Sequence, residues 1–166
     1  MGKASKARRV DTASLVIAAS PESIYQALVD PEALMARLPP DGMSAELCWF
    51  DARPGGAYRM ILTYEDAGRH PGKSSEATDV VQVRFVELIP GERIVQRVAF
   101  EADDPAFGGE MTMTWALSPQ AEGVRVTIRC EDVPEGIRPD DHQAGMTSSL
   151  ANLAAYVEAR IRPASA

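Results

Sequence analysis

Between Ala45 and Val133 the chain alternates apolar and polar residues with a period of two. That period confines most of it to antiparallel strands with one wet and one dry face. The alternation is cleanest from Gly109 to Ser118, where Met111, Met113, Trp115 and Leu117 fall on one side and Glu110, Thr112, Thr114 and Ala116 on the other. The same pattern predicts strands over Ala45 to Asp51, Ala57 to Tyr64, Glu76 to Ile89, Arg93 to Phe100 and from Gly123 onward. In these, Tyr58, Met60, Leu62 and Tyr64 point together, as do Val81, Val83 and Phe85, then Ile94, Val98 and Phe100, then Val124, Val126, Ile128 and Cys130. Turn residues such as Arg53-Pro54-Gly55-Gly56 and Pro90-Gly91 separate the runs. Glu65 to Ser75 has no period and is expected to be a mobile loop.

A dry sheet face needs a cover, and the C-terminal part of the chain supplies one. From Pro139 onward Met146, Leu150, Leu153, Val157 and Ile161 recur at helical spacing, Arg160 and Arg162 suit the final turn, and Pro163 stops the helix. At about 1.5 Å per residue such a helix spans roughly 30 Å, enough to cross the sheet. Gly145 interrupts it, through either close approach to the sheet or simple tolerance. Before the sheet, Leu15 to Ala18 reads as a strand. Ser20-Pro21-Glu22 and Asp30-Pro31 then each start a short helix, with Ile24, Ala27 and Leu28, then Ala33, Leu34 and Leu38, as the apolar stripes. The predicted order is β-α-α-β-β-β-β-β-β-α. It describes one α+β domain in which a curved antiparallel sheet encloses an apolar cavity against a long helix.

Composition narrows the function. The chain is 45% hydrophobic and 25% charged, as in ordinary globular domains, and its net charge of −7 opposes a nucleic-acid surface. Its basic cluster, Lys3, Lys6, Arg8 and Arg9, is expected to lie in a flexible tail over residues 1–12. No run reaches the roughly 20 apolar residues of a membrane span, and the early Leu15–Ala19 run is too short for a secretion signal. The expected location is therefore the cytoplasm. Cys48 and Cys130 lie in predicted strands outside any C-x-x-C spacing, and read as buried, unreactive thiols. The two histidines, His70 and His142, form no metal motif, and no phosphate-binding or nucleophile-elbow pattern occurs. No cofactor and no metal are expected, and the reading leans away from an enzyme.

Several segments in register carry a resemblance. They are Asp51-Ala52-Arg53-Pro54-Gly55-Gly56-Ala57-Tyr58-Arg59, Pro90-Gly91-Glu92-Arg93-Ile94-Val95, Met113-Thr114-Trp115-Ala116-Leu117, Arg125-Val126-Thr127 and His142-Gln143-Ala144-Gly145-Met146, with Leu150, Leu153 and Tyr156 beyond. From about Ala13 to Val157 the chain resembles homologues of the activator of heat-shock-protein-ninety ATPase, within the START-like (SRPBCC) superfamily. The resemblance implies a helix-grip domain over residues 13–162 with a ligand cavity between sheet and helix. It leaves open lipid carriers, polyketide cyclases and co-chaperones, because a fold alone does not settle function.

The expected site is a pocket lined by Tyr58, Met60, Phe85, Phe100, Met111, Met113, Trp115, Met146, Leu150 and Leu153, with His142 and Ser149 as polar members. Methionine is flexible and polarizable, and suits a surface that accepts varied apolar partners. His142 sits one turn before Met146 on the helix stripe, where it could hydrogen-bond a ligand or serve as a general base. The leading expectation is binding of a small hydrophobic or amphipathic molecule, lipid- or polyketide-like. The alternatives are a polyketide cyclase or dehydratase-type enzyme and a co-chaperone-like interaction domain, whose partner is a chaperone or a second copy of the chain. Neither nucleic acid nor membrane insertion is expected.

Overall fold

The computed structural model describes residues 9–37, 43–64, 78–101 and 105–161. Lys3, Lys6, Arg8, Leu38, the 65–75 loop, Arg162 and Pro163 lie outside them. The chain order is β1 (Val10–Ile17), α1 (Pro21–Val29), α2 (Pro31–Arg37), β2 (Met43–Phe50), β3 (Ala57–Tyr64), β4 (Thr78–Ile89), β5 (Arg93–Phe100), β6 (Met111–Gln120), β7 (Gly123–Glu131) and α3 (Pro139–Ile161). A short 3₁₀ turn, Pro105–Phe107, precedes β6. The predicted α+β order is the observed one.

All strand pairs are antiparallel, and the sheet runs β1-β7-β6-β5-β4-β3-β2. Six strands, β2 to β7, neighbour one another in chain order, whereas β1 reaches across to close against β7. Register breaks between Leu47 and Trp49 and between Phe85 and Glu87 place bulges in β2 and β4, a device that bends and twists a sheet locally. The second leaves Val86 without a ladder partner and exposed. At the start of β7, Gly123 has φ +149°, and a Cβ there would lie 2.2 Å from the Ile17 carbonyl oxygen. Glycine alone lets the β6–β7 hairpin meet the end of β1.

Alternation decides which face is dry. Tyr58, Met60, Val83, Phe85, Ile94, Val98, Met111, Trp115, Leu117, Val124, Val126, Ile128 and Cys130 are all buried, on the faces expected from the sequence. The opposite face carries ion pairs. Arg59 donates to Glu101 at 2.8 and 3.1 Å, Gln82 joins at 2.7 Å, and Arg93 meets Glu87 at 2.7 Å. The hydrogen bonds from Arg59 and then Gln82 outweigh burial and hold the Glu101 carboxyl down at about 2.

The helices cover the dry face. Ser20 caps α1 by accepting from the Ser23 amide at 3.1 Å, and Asp30 accepts from the Glu32 amide at 2.9 Å ahead of α2. Met146, Leu150, Leu153 and Val157 line the buried side of α3, as the stripe predicts. Its closest backbone approach to the sheet is along β1, while α2 bridges α3 and β2, and α1 leans on β6. Gly145 faces outward with nothing within 4 Å of an added Cβ, so close approach to the sheet does not account for it.

The strand expected from Leu15 begins at Val10 instead. An edge strand pairs on one side only, so a polar run such as Asp11-Thr12-Ala13-Ser14 can join the ladder without a long apolar stretch. Arg9, read from sequence as part of the tail, is tied to the fold by its side chain, as described below. Cys130 is buried as expected, but Cys48 is exposed at the β2 bulge, 3.3 Å from the Arg59 guanidinium.

Candidate functional site

Cross-strand partners share a face, so the ladder register gives the layout of the inner surface. One row runs Phe85, Gln96, Met113, Cys130, Asp11 from β4 to β1. The neighbouring row runs Phe50, Tyr58, Val83, Val98, Met111. Phe50, Tyr58 and Phe85 form an aromatic cluster at the β2–β4 end, with centroids 5.3 to 5.9 Å apart.

Of the twelve residues expected to line a pocket, Tyr58, Met60, Phe85, Met111, Trp115, Met146, Leu150 and Leu153 are buried. Phe100, Met113, His142 and Ser149 are partly buried. The seven from the strands and Met146, Leu150 and Leu153 from the helix belong to, or pack against, one apolar core.

His142 is the polar member with a defined partner. Its Nδ1 lies 2.7 Å from Asp11 Oδ2, and each side chain is 13% exposed. A carboxylate only accepts, so Nδ1 carries the hydrogen and Nε2 is left with its lone pair in the neutral ring. Nε2 has no hydrogen-bond partner among the described residues. Asp11 is held from its other side by Arg9, whose Nε and Nη2 donate at 3.2 and 2.8 Å. The same guanidinium donates to the carbonyls of Pro134 and Ile137 in the segment entering α3. Asp132 adopts φ 60° at the end of β7, a left-handed conformation that aspartate tolerates, and its amide donates to the Arg9 carbonyl at 3.0 Å.

The electrostatics follow from this cluster. Burial pushes the Asp11 carboxyl up, but the hydrogen bonds from Arg9 and His142 together outweigh it and hold the group below its ordinary value of 3.8. Cys130, opposite Asp11 on β7, is pushed up to about 12 by burial and then by the Asp11 charge. Its thiol therefore stays protonated at neutral pH, the wrong state for a nucleophile.

Sequence reasoning missed three members of this surface. Arg9 and Asp11 were hidden because the strand start was placed too late. Gln96, buried to 6% exposure, sits between Ile94 and Val98 on the inner face of β5. The period-two count that picked out Ile94, Val98 and Phe100 passes through Gln96, so a polar residue at a dry position was the available signal. A separate groove of about 330 Å³ lies between α1 and the end of α3, bordered by Glu22, Gln26, Asp30, Tyr156 and Arg160. Arg160 lies 5.0 Å above the Tyr156 ring there. No sequence feature pointed to it.

The family model described as activator of Hsp90 ATPase homolog 1-like protein matches residues 18–158. The chain belongs to that family. A structure from Chromobacterium violaceum is 34% identical, with a TM-score of 0.77 over 90% of this chain and 98% of its own. An AHSA1-like protein from Aeromonas hydrophila, 18% identical, has a TM-score of 0.68 over 92% of this chain and 94% of its own. A protein in the dynemicin biosynthetic locus, also 18% identical, has a TM-score of 0.63 over 90% of this chain and 47% of its own. No curated protein matched. For this AHSA1-like chain the helix-grip fold of the START-like superfamily is thus the observed one. Among the described residues no helix is long and apolar enough to cross a membrane.

Proposed function

We propose that this AHSA1-like protein holds a small hydrophobic or amphipathic molecule, lipid- or polyketide-like, between the inner sheet face and α3. The observation that carries the reading is the concentration of buried methionine and aromatic side chains there, namely Tyr58, Met60, Phe85, Met111 and Trp115 on the sheet and Met146 on α3. Met113 and Phe100 are half-buried beside them. Methionine and aromatic groups offer large, adaptable contact area, and ligand sites are mostly apolar with a few placed polar groups. The close approach of α3 to β1, away from the sheet centre, also supports it. Native mass spectrometry of the protein from its own host, followed by denaturing release, tests the reading. A stoichiometric small apolar molecule is expected; empty protein, together with no uptake of apolar dyes, would overturn it.

A second reading, an enzyme of the polyketide-cyclase or dehydratase type, is favoured by the His142–Asp11 contact. A histidine oriented through Nδ1 by a carboxylate presents Nε2 as a base, the arrangement used for proton abstraction. Under the binding reading, His142→Ala is expected to weaken binding of an oxygenated apolar ligand. Complete loss of turnover with ligand affinity retained would favour the enzyme, and unchanged affinity and turnover would remove His142 from the site.

A further inference from the structure

We infer that Gln96 is the polar anchor of the ligand, and that the ligand is an apolar, ring-sized molecule presenting a carbonyl or hydroxyl oxygen rather than a plain hydrocarbon. This rests on the ligand reading above and names the chemistry that the same face selects. Gln96 lies in mid-sheet, on β5, opposite Phe85 on one side and Met113 on the other. Ile94 and Val98, two residues away on the same strand face, are 1% and 5% exposed, and Gln96 itself is 6% exposed. A carboxamide brings two donors and an acceptor with two lone pairs. None of them has a hydrogen-bond partner among the described residues.

That condition is unusual, because buried polar side chains nearly always find partners. Asp79, the other buried polar residue on the inner face among the described residues, does have partners. Gln96 pairs with Phe85 in the ladder to β4 and with Met113 in the ladder to β6, yet its side-chain amide bonds to neither strand. A leucine of similar length would pack there without unmet hydrogen bonds, and would favour folding. A bound oxygen supplies what the fold withholds. The aromatic cluster of Phe50, Tyr58 and Phe85 adjoins this point, which suits a flat ring system with its oxygen directed at the amide. Asp11 and His142 stand at the far end of the row, three strands away, or roughly 14 Å at the usual strand spacing. An elongated ligand would then meet polar groups at both ends and methionine between.

The test uses the full chain, wild type and Gln96→Leu, titrated with naphthalene and with 2-acetylnaphthalene. The wild type is expected to bind the ketone about five- to tenfold more tightly, the effect of one hydrogen bond. Gln96→Leu is expected to bind the two alike and to melt at a higher temperature than the wild type. In the wild type, the Gln96 side-chain amide resonances should move on adding the ketone and not on adding naphthalene, a readout that needs no variant to fold. Binding of both probes with no preference in the wild type, a preference that survives in Gln96→Leu, or a lower melting temperature for that variant would overturn the anchor while leaving the cavity in place. Failure of both probes to bind either protein would instead bring down the ligand reading, and the anchor with it.

Discussion

Asp11→Asn isolates the cluster that fastens β1 to the entrance of α3. The substitution keeps the shape of the side chain and removes its charge. In the native protein that carboxylate accepts from Arg9 at 2.8 and 3.2 Å and from His142 at 2.7 Å, with Asp11 13% and Arg9 23% exposed. Hydrogen bonds to a charged group contribute about 1.5–3 kcal/mol each, and an asparagine oxygen still accepts one of them. Destabilisation of about 2 kcal/mol is expected at pH 7. For a chain of this size that lowers Tm by roughly 4–8 °C. The pH dependence fixes the cause. The folded-state pKa of Asp11 is depressed, so its contribution is fully present above the ordinary value of 3.8 and is lost as pH falls through the folded value. Thermal melts of both proteins, followed by circular dichroism from pH 7 to pH 2.5, should therefore show a gap at pH 7 that narrows below 3.8. Equal melting temperatures at pH 7, or a gap that stays constant to the acid end, would refute the reasoning.

Two further outcomes follow from packing. In the native protein a thiol-reactive disulfide reagent should modify Cys48 rapidly and reach Cys130 only on unfolding, because Cys48 is exposed and Cys130 is buried with its thiol pushed up to about 12. Two equally fast equivalents would contradict that burial. Leu153→Ala, at a position with 0% exposure on the buried stripe of α3, should cost about 3 kcal/mol in urea denaturation with the slope unchanged. A cost below about 1 kcal/mol would mean that α3 does not seat on the sheet as described.

Much of this architecture can be read from residues alone, and the exceptions have physical causes. Strands β3 and β5 begin and end where the alternation does, since each has a neighbour on both sides and a buried face that fixes its parity. The stripe Met146, Leu150, Leu153, Val157 likewise specifies the buried side of α3. β1 was half hidden because it is an edge strand whose inner-face Asp11 is compensated by His142, 131 residues away in sequence. No local pattern encodes a pairing of that kind. The bulges escaped for a similar reason, since the extra residue at Val86 looks like another β-branched member of the strand. Gln96 is the opposite case: its parity was legible, but only the fold shows that its amide has no partner among the described residues.

The adjacency of β1 and β7 also governs how the chain must be made. β1 leaves the ribosome first, yet the strand it pairs with, where Ile17 meets Val124 and Val10 meets Glu131, follows more than a hundred residues later. At about 5–20 residues per second the first strand waits on the order of 5–20 s without its neighbour. Over that interval the nascent sheet has β2 to β6 pairing in chain order, each with its sequence neighbour, while the last closure spans more than a hundred residues. The polar run that hid β1 from the periodicity count, Asp11-Thr12 and Ser14, thus serves synthesis as well, because it confines the apolar stretch of the waiting strand to Leu15-Val16-Ile17 and leaves less for other chains to aggregate on.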